Sequence, residues 1–298
     1  MIEAPAPLPA QDSTVPRGAV LRRGIRANPL LVAGAAGSAL ILLVALLAPL
    51  LAPFPGDAGT ATHPLLVLRP PSAQHWFGTD NVGRDVYSRV LYGARISPLI
   101  AVIVLLIATV LGIPLGVMAG YFGGWLDEVI MRVTDIFLAF PPLLLALAFA
   151  AVLPASLTTV IIAIAITWWP WYTRLIRGQA ASVAGRPYIE ACRALGISRW
   201  RILVRHILPN SITPLLVQIS FDVGGVILTA SALSFLGLGA QDPTPDWGLM
   251  VAEGQGYFTT AWWVVTFPGL AILFTAFAFT LLGDGLRDLL DPKRTFLR

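Results

Sequence analysis

Gly185-Arg186-Pro187-Tyr188-Ile189-Glu190-Ala191-Cys192-Arg193-Ala194-Leu195-Gly196, continued by Ile197-Ser198-Arg199-Trp200-Arg201-Ile202-Leu203-Val204-Arg205-His206-Ile207-Leu208-Pro209-Asn210, is a polar stretch set between long apolar runs. Pro187 suits the first position of a helix, Glu190 the positive end of its dipole and Arg193 the negative end. Gly196 can adopt the left-handed conformation that stops a helix. Tyr188, Ala191, Cys192 and Leu195 recur at helical spacing and give this short helix one modest apolar face. Ser198 can cap a second helix, in which Ile202, Leu203 and Ile207 oppose Arg199, Arg201 and Arg205, until Pro209 interrupts the pattern. The expected product is a short helix, a sharp turn and an amphipathic helix.

What surrounds this stretch is apolar. Of 298 residues, 56% are hydrophobic and 12% charged, and the mean hydropathy is +0.77. Soluble domains carry roughly 25% charged residues, so the composition is that of a multispan membrane protein. A formal charge of +4 would suggest nucleic acid in a soluble chain. Here the arginines sit in loops beside apolar spans, where they set orientation, and no nucleic-acid partner is expected. Cys192 is the only cysteine, which leaves no internal disulfide.

Taken in order, residues 1–28 are rich in Ala, Pro and Arg without periodicity and read as a disordered cytoplasmic tail. Residues 29–52 carry a nearly uncharged run, Leu30 to Leu51, long enough for the roughly 20 residues a membrane helix needs and too long for the core of a signal peptide. Residues 53–95 form a mixed, proline-rich segment read as external. Arg69, Arg84, Arg89 and Arg95 run against that placement under the positive-inside rule, and Asp80 and Asp85 offset them in part.

Residues 96–285 are expected to hold five further spans. The second is Ile96 to Ala119, followed by a turn at Gly120-Tyr121-Phe122-Gly123-Gly124-Trp125. The third, led in by Arg132 and Asp135, reaches Leu153 with Phe140-Pro141-Pro142 inside it, for which helix packing is the favoured reading over a bend. The fourth, Leu157 to Tyr172, ends in Trp168, Trp169 and Trp171, as an interfacial aromatic belt does. The loop 177–210 follows, and its Arg177, Arg186, Arg193, Arg199, Arg201 and Arg205, with Arg174 just before, give the strongest inward signal in the chain. Ser211 to Leu238 is the fifth span, Gly239 to Thr260 an outer loop free of Lys and Arg, and Ala261 to Gly283 the sixth; residues 286–298 form a cytoplasmic tail. The fold class is thus an all-α membrane protein of six transmembrane helices with both termini cytoplasmic.

Asp222 is the one acid clearly inside a span, at a cost of about 2.5–3.5 kcal/mol on insertion scales. It either lines a pathway and faces an amine or cation, or is paired across a helix interface.

The loop resembles the EAA loop of ABC importer permeases: Glu-Ala-Ala, three residues, Gly, nine residues, Ile, any residue, Leu-Pro. Glu190, Ala191, Gly196, Leu208 and Pro209 fall in register, Cys192 replaces the third small residue, and His206 stands where the general pattern has Ile. Further matches are His75 to Arg89, Gly120 to Gly124, Leu233 to Gly239, Pro243 to Gly248 and Leu282 to Asp288; together they are similar to the second, C-type permease subunit of the peptide and nickel importer group.

That resemblance implies a bacterial plasma-membrane subunit paired with a homologous permease, two ABC ATPases and an external solute-binding protein, in membrane lipid. It implies that Tyr188, Glu190, Ala191, Cys192, Leu195, Gly196, Leu208 and Pro209 couple to an ATPase, and that ATP and Mg are bound by those partners and no cofactor by this chain. Many relatives place an acid where this chain has Ala230, a role Asp222 would take over from two turns away. The cargo implied is a di- or oligopeptide, with nickel chelates and glutathione behind.

No phosphate-binding Gly-x-x-x-x-Gly-Lys loop is available, because Lys293, between Pro292 and Arg294, is the only lysine. Two rival classes are weaker. An ion-coupled secondary carrier usually shows several ionisable residues within spans and inverted repeats. An intramembrane hydrolase would carry Gly-x-Ser-x-Gly or His-Glu-x-x-His, both absent, and His63, His75 and His206 are scattered among loops.

Overall fold

The computed structural model describes residues 28–290, so the two tails expected at 1–28 and 286–298 lie largely outside the described residues. Helix α1, Pro29–Leu51, opens with Pro29 at its first turn and with the Leu31 N–H donating to Asn28 Oδ1 at 3.2 Å. Helix α2, Val86–Phe122, is 37 residues long. At about 1.5 Å per residue it outruns a hydrocarbon core of roughly 30 Å. It begins ten residues before the expected second span, because the Asp85 side chain caps it by accepting the Ser88 N–H at 2.8 Å.

The third expected span is not one helix. Helix α3, Gly124–Leu138, and helix α4, Pro142–Val152, meet at 85°. Two consecutive prolines explain the break: Pro142 disfavours helical backbone at Pro141, which is extended (φ −57°, ψ 128°), and neither proline can donate a backbone hydrogen bond. The reading of Pro141-Pro142 as packing within a continuous span is corrected accordingly.

Helix α5, Leu157–Ala184, runs 28 residues, beyond the Tyr172 expected as its end. Arg174 and Arg177 are therefore helical. They reach α3, Arg174 to Asp135 and Arg177 through two bonds to Asp127, with Nε at 3.0 Å and Nη2 at 2.5 Å. Helix α6, Pro187–Ala194, is followed by α7, Arg199–Ile202, a π-helical turn, Leu203–Ile207, and α8, Leu208–Ser211. Helices α9, Thr213–Phe235, α10, Trp247–Gly254, and α11, Trp263–Leu290, complete the set. The segment expected as a plain loop at 239–260 thus contains a helix of its own.

Helices α1, α2, α5, α9 and α11 are long and apolar enough to cross a membrane, and the bent α3–α4 pair makes a sixth. Leu42, Leu46 and Leu50 of α1 and Leu106 and Val110 of α2 are exposed, as bilayer-facing residues should be. The inner contacts depend on small residues. Along α2, Gly112, Gly116 and Gly120 recur every fourth position against α5. A Cβ on each would come within 2.9 Å of Trp169 O, 2.6 Å of Thr173 O and 2.4 Å of Arg177 O respectively, so only glycine admits the backbone contact.

Residues 53–85 fold back on the start of α2 as a polar cluster with few free charges. Asp57 is buried and accepts the Asp85 backbone N–H at 2.8 Å, with His63 Nε2 2.9 Å from its other oxygen. Arg84 donates to Asp80 at 2.7 Å and to Asp242 at 2.6 Å, and both Arg84 and Arg89 approach Glu253, at 3.6 and 3.7 Å. Burial opposes the Arg84 charge, yet Asp80 and Asp242 outweigh it and raise its pKa above the usual arginine value. The indoles complete the seam: Trp247 Nε1 donates to Val90 O at 2.9 Å and Trp263 Nε1 to Thr79 O at 3.1 Å. The stretches His75–Arg89 and Pro243–Gly248, far apart in sequence, thus form one unit with Glu253.

Candidate functional site

Two places in this frame hold the residues singled out in the sequence. The first is the loop at the end of α5. Pro187 stands in the first turn of α6, Glu190 also lies there, and Arg193 lies in the last. The helix ends in a Schellman motif. Ile197 N–H donates to Cys192 O at 3.1 Å and Gly196 N–H to Arg193 O at 3.0 Å, around Gly196 at φ +71°. These bonds satisfy carbonyls that a two-turn helix would otherwise leave open.

The apolar face expected along α6 is turned outward. Tyr188, Ala191 and Leu195 are exposed, Leu195 by 80%, and Cys192 is half-buried. The anchor is Ile189, fully buried, which sequence periodicity passed over because it falls between the helical repeats of that face. Ile202, Leu203 and Ile207 are buried as expected, opposite exposed Arg199, Arg201 and Arg205. Pro209 does not interrupt this second arm. The backbone widens into a π turn, in which the Leu208 N–H donates to Leu203 O, and the helix then continues through exposed Pro209 and half-buried Leu208.

The loop rests on the end of α2. The Arg193 guanidinium lies 5.4 Å from the centre of the Tyr121 ring, and Trp200 packs edge-on against Phe122 at 5.7 Å. The Tyr121-Phe122 end of α2 is therefore the platform on which the loop sits, and the turn expected from Gly120 to Trp125 is reduced to Gly123, at φ +63°, between the end of α2 and the start of α3. With Glu190, Tyr188, Ala191 and Leu195 outward, and Trp200 (61%) and Val204 exposed as well, the loop presents apolar side chains and one carboxylate among five exposed arginines, Arg186, Arg193, Arg199, Arg201 and Arg205.

The second place is Asp222, on α9 and half-buried. Tyr172 Oη of α5 donates to one of its oxygens at 2.7 Å and Gln218 Nε2, one turn earlier on α9, to the other at 3.0 Å. Trp168 stands beside the same carboxylate. No cation pairs with Asp222 among the described residues. Its partners are neutral, so the interface half of the sequence reading is seen in geometry while the charge itself is left without a counter-ion. Nothing in the sequence pointed to Tyr172, fifty residues away. Gln218, at four residues' spacing on the same helix, was within reach of helical periodicity. Ala230, two turns further along, is buried.

A bundle of membrane-crossing helices, with a capped loop between two of them and a polar seam at the far end of α2, is the architecture of a multi-pass membrane protein. Residues 112–296 match the family described as binding-protein-dependent transport system inner membrane component, and the chain belongs to that family of inner-membrane, multi-pass permeases.

Among curated relatives, it is 48% identical over 95% of its length to the probable D,D-dipeptide transport system permease protein DdpC of Escherichia coli K12, covering 94% of that protein. It is 44% identical over 90% of its length to the dipeptide transport system permease protein DppC of Alkalihalophilus pseudofirmus, covering 88% of it. It is 47% identical over 75% of its length to the glutathione transport system permease protein GsiD of Pectobacterium atrosepticum, covering 74% of it. Among solved structures, the inward-facing MetNI methionine ABC transporter contains a chain of like fold, with a TM-score of 0.54 at 17% identity, covering 68% of this chain and 97% of that one.

Proposed function

We propose that this chain forms half of the translocation pathway of an ATP-driven importer for di- or oligopeptides, and that the loop 187–211 receives a cytoplasmic ABC ATPase. In this reading both termini and the loop face the cytoplasm, while the 53–85 cluster and α10 face outward, toward a solute-binding protein. A second, homologous permease completes the pathway. Asp222 lines that pathway and takes over, from two turns away, the role of the acid that Ala230 does not supply.

The observation that carries the reading is the loop itself. It is a short helix stopped by Gly196, anchored by Ile189, Ile202 and Ile207, with Tyr188, Glu190, Ala191 and Leu195 left outward. A helix so anchored moves with the spans beneath it, so a partner that closes on it passes its motion to them. The likeness to dipeptide and glutathione permeases supports the cargo class.

The test is purification of the tagged chain from native membranes with identification of what accompanies it. ATPases and a second permease should co-purify with the wild type and be lost from Leu195→Ser and Glu190→Arg variants that remain folded. Recovery of the wild-type chain alone would defeat the reading and turn attention to an ion-coupled carrier.

A further inference from the structure

The carboxylate of Asp222 offers two oxygens with about four acceptor positions. Tyr172 and Gln218 fill one position on each oxygen, at 2.7 and 3.0 Å. The remainder can receive a group with several donors. An acid held by neutral donors within a membrane span bears a desolvation cost that no cation on the described chain offsets.

The surroundings are shaped for a small cation. Gln218 is exposed, so one side of the cluster is open. One turn onward, a Cβ added to Gly225 would find only Trp168 Cζ2, at 3.8 Å, so the helix surface next to Asp222 carries no side chain there and borders an indole edge. An ammonium fits this setting. It has three donors, and it is compact enough to enter beside a glycine.

We propose that Asp222, positioned by Tyr172 and Gln218 and flanked by Trp168 and Gly225, is a subsite for the free α-ammonium of the transported peptide. This rests on the peptide-importer reading. Tyr172 and Gln218 each bond one oxygen and leave an acceptor position on each for the ammonium. A peptide whose amino terminus is acylated presents one amide N–H there and no charge.

The test uses the complete transporter, with its partner permease, ATPases and binding protein, in proteoliposomes. Wild-type uptake of a free-amine dipeptide is measured first. No uptake of any peptide defeats the importer reading and the subsite with it. Given uptake, Asp222 is modified with a hydrophobic carbodiimide and followed by mass spectrometry in the presence of alanyl-alaninamide or its N-acetyl derivative. The free amine should slow the modification several-fold and the acetylated form should leave it unchanged. Equal effects of the two compounds, or an Asp222 that the carbodiimide never reaches, would overturn the subsite alone. In parallel, Asp222→Asn should lower uptake of the free-amine dipeptide roughly tenfold or more, with partial recovery in Asp222→Glu. Full uptake by Asp222→Asn would also overturn it.

Discussion

Two arginine-rich regions of this chain, 84–95 and 186–205, look alike as sequence and are opposite as structure. Arg84 and Arg89 are buried and share Asp80 and Glu253, with Asp242 on Arg84 as well, whereas Arg186, Arg193, Arg199, Arg201 and Arg205 are exposed. The positive-inside rule counts arginines that remain free beside the membrane. Those spent on buried carboxylates drop out of the count, which removes the conflict that Arg84 and Arg89 raised for an external segment. The comparison teaches that pairing decides which charges speak for orientation and which hold the fold.

That contrast can be broken most sharply at Arg89. Its replacement by leucine removes one of the two cations that face Asp80 and Glu253, leaving Arg84 alone against both, and should cost about 3 kcal/mol, while Arg201→Leu in the loop should stay within about 0.5 kcal/mol. Thermal melts of the purified chain in mild detergent read both, and equal losses would dissolve the distinction.

Next in size is Gly93→Val. A Cβ there would lie 2.3 Å from Trp247 Nε1, so the seam between α2 and α10 must open. Overpacking of this kind costs about 1–3 kcal/mol, and the Trp247 fluorescence should shift toward that of an exposed indole.

Gly196→Ala sharpens the other side. Nothing lies within 4 Å of a Cβ there, so the whole penalty is the left-handed backbone, about 1–2 kcal/mol, and it is local. Hydrogen exchange should quicken at the amides of Gly196 and Ile197 while the spans are unaffected, and uptake per ATP hydrolysed should fall.

The smallest effect is a slope with pH. Burial raises the Glu253 pKa above the usual glutamate range, against the pull of Arg89 and Arg84 and with help from Asp242 and Asp80. The native state then holds that proton more tightly than the unfolded chain. Stability should fall as pH rises from the ordinary glutamate value to the raised native one, and be level above it. Glu253→Gln should flatten the melting temperature across that window.

Much of the loop was legible because its signals are local. Pro187, Glu190, Arg193 and Gly196 each act within one or two turns, and the Schellman bonds at Cys192 and Arg193 follow from the glycine alone. The direction of the Tyr188, Ala191 and Leu195 face was not legible. The way α6 is turned is set by long-range contacts such as Arg193 over the Tyr121 ring, more than seventy residues away. Pro141 and Pro142 announced a disturbance, but whether neighbours absorb it or the chain turns by 85° is a matter of packing. The early start of α2 was hidden for a similar reason: residues 86–95 read as polar until Arg89 finds its carboxylates. At Asp222 the acid was visible and its partner Tyr172 was not, since periodicity links residues along one helix and says nothing of which helix lies opposite.

The unbroken length of α5 beyond Pro170 carries a mechanical consequence. From Tyr172, bonded to Asp222, to Gly185, where α6 is about to begin, the helix acts as a rod of about 20 Å. The Gly116 and Gly120 contacts on one side, with Arg174 and Arg177 clipped to α3 on another, keep it from bending on its own. A tilt of a few degrees at the loop end therefore reappears at the phenol as a displacement of an ångström or two, enough to make or release a 2.7 Å hydrogen bond to Asp222.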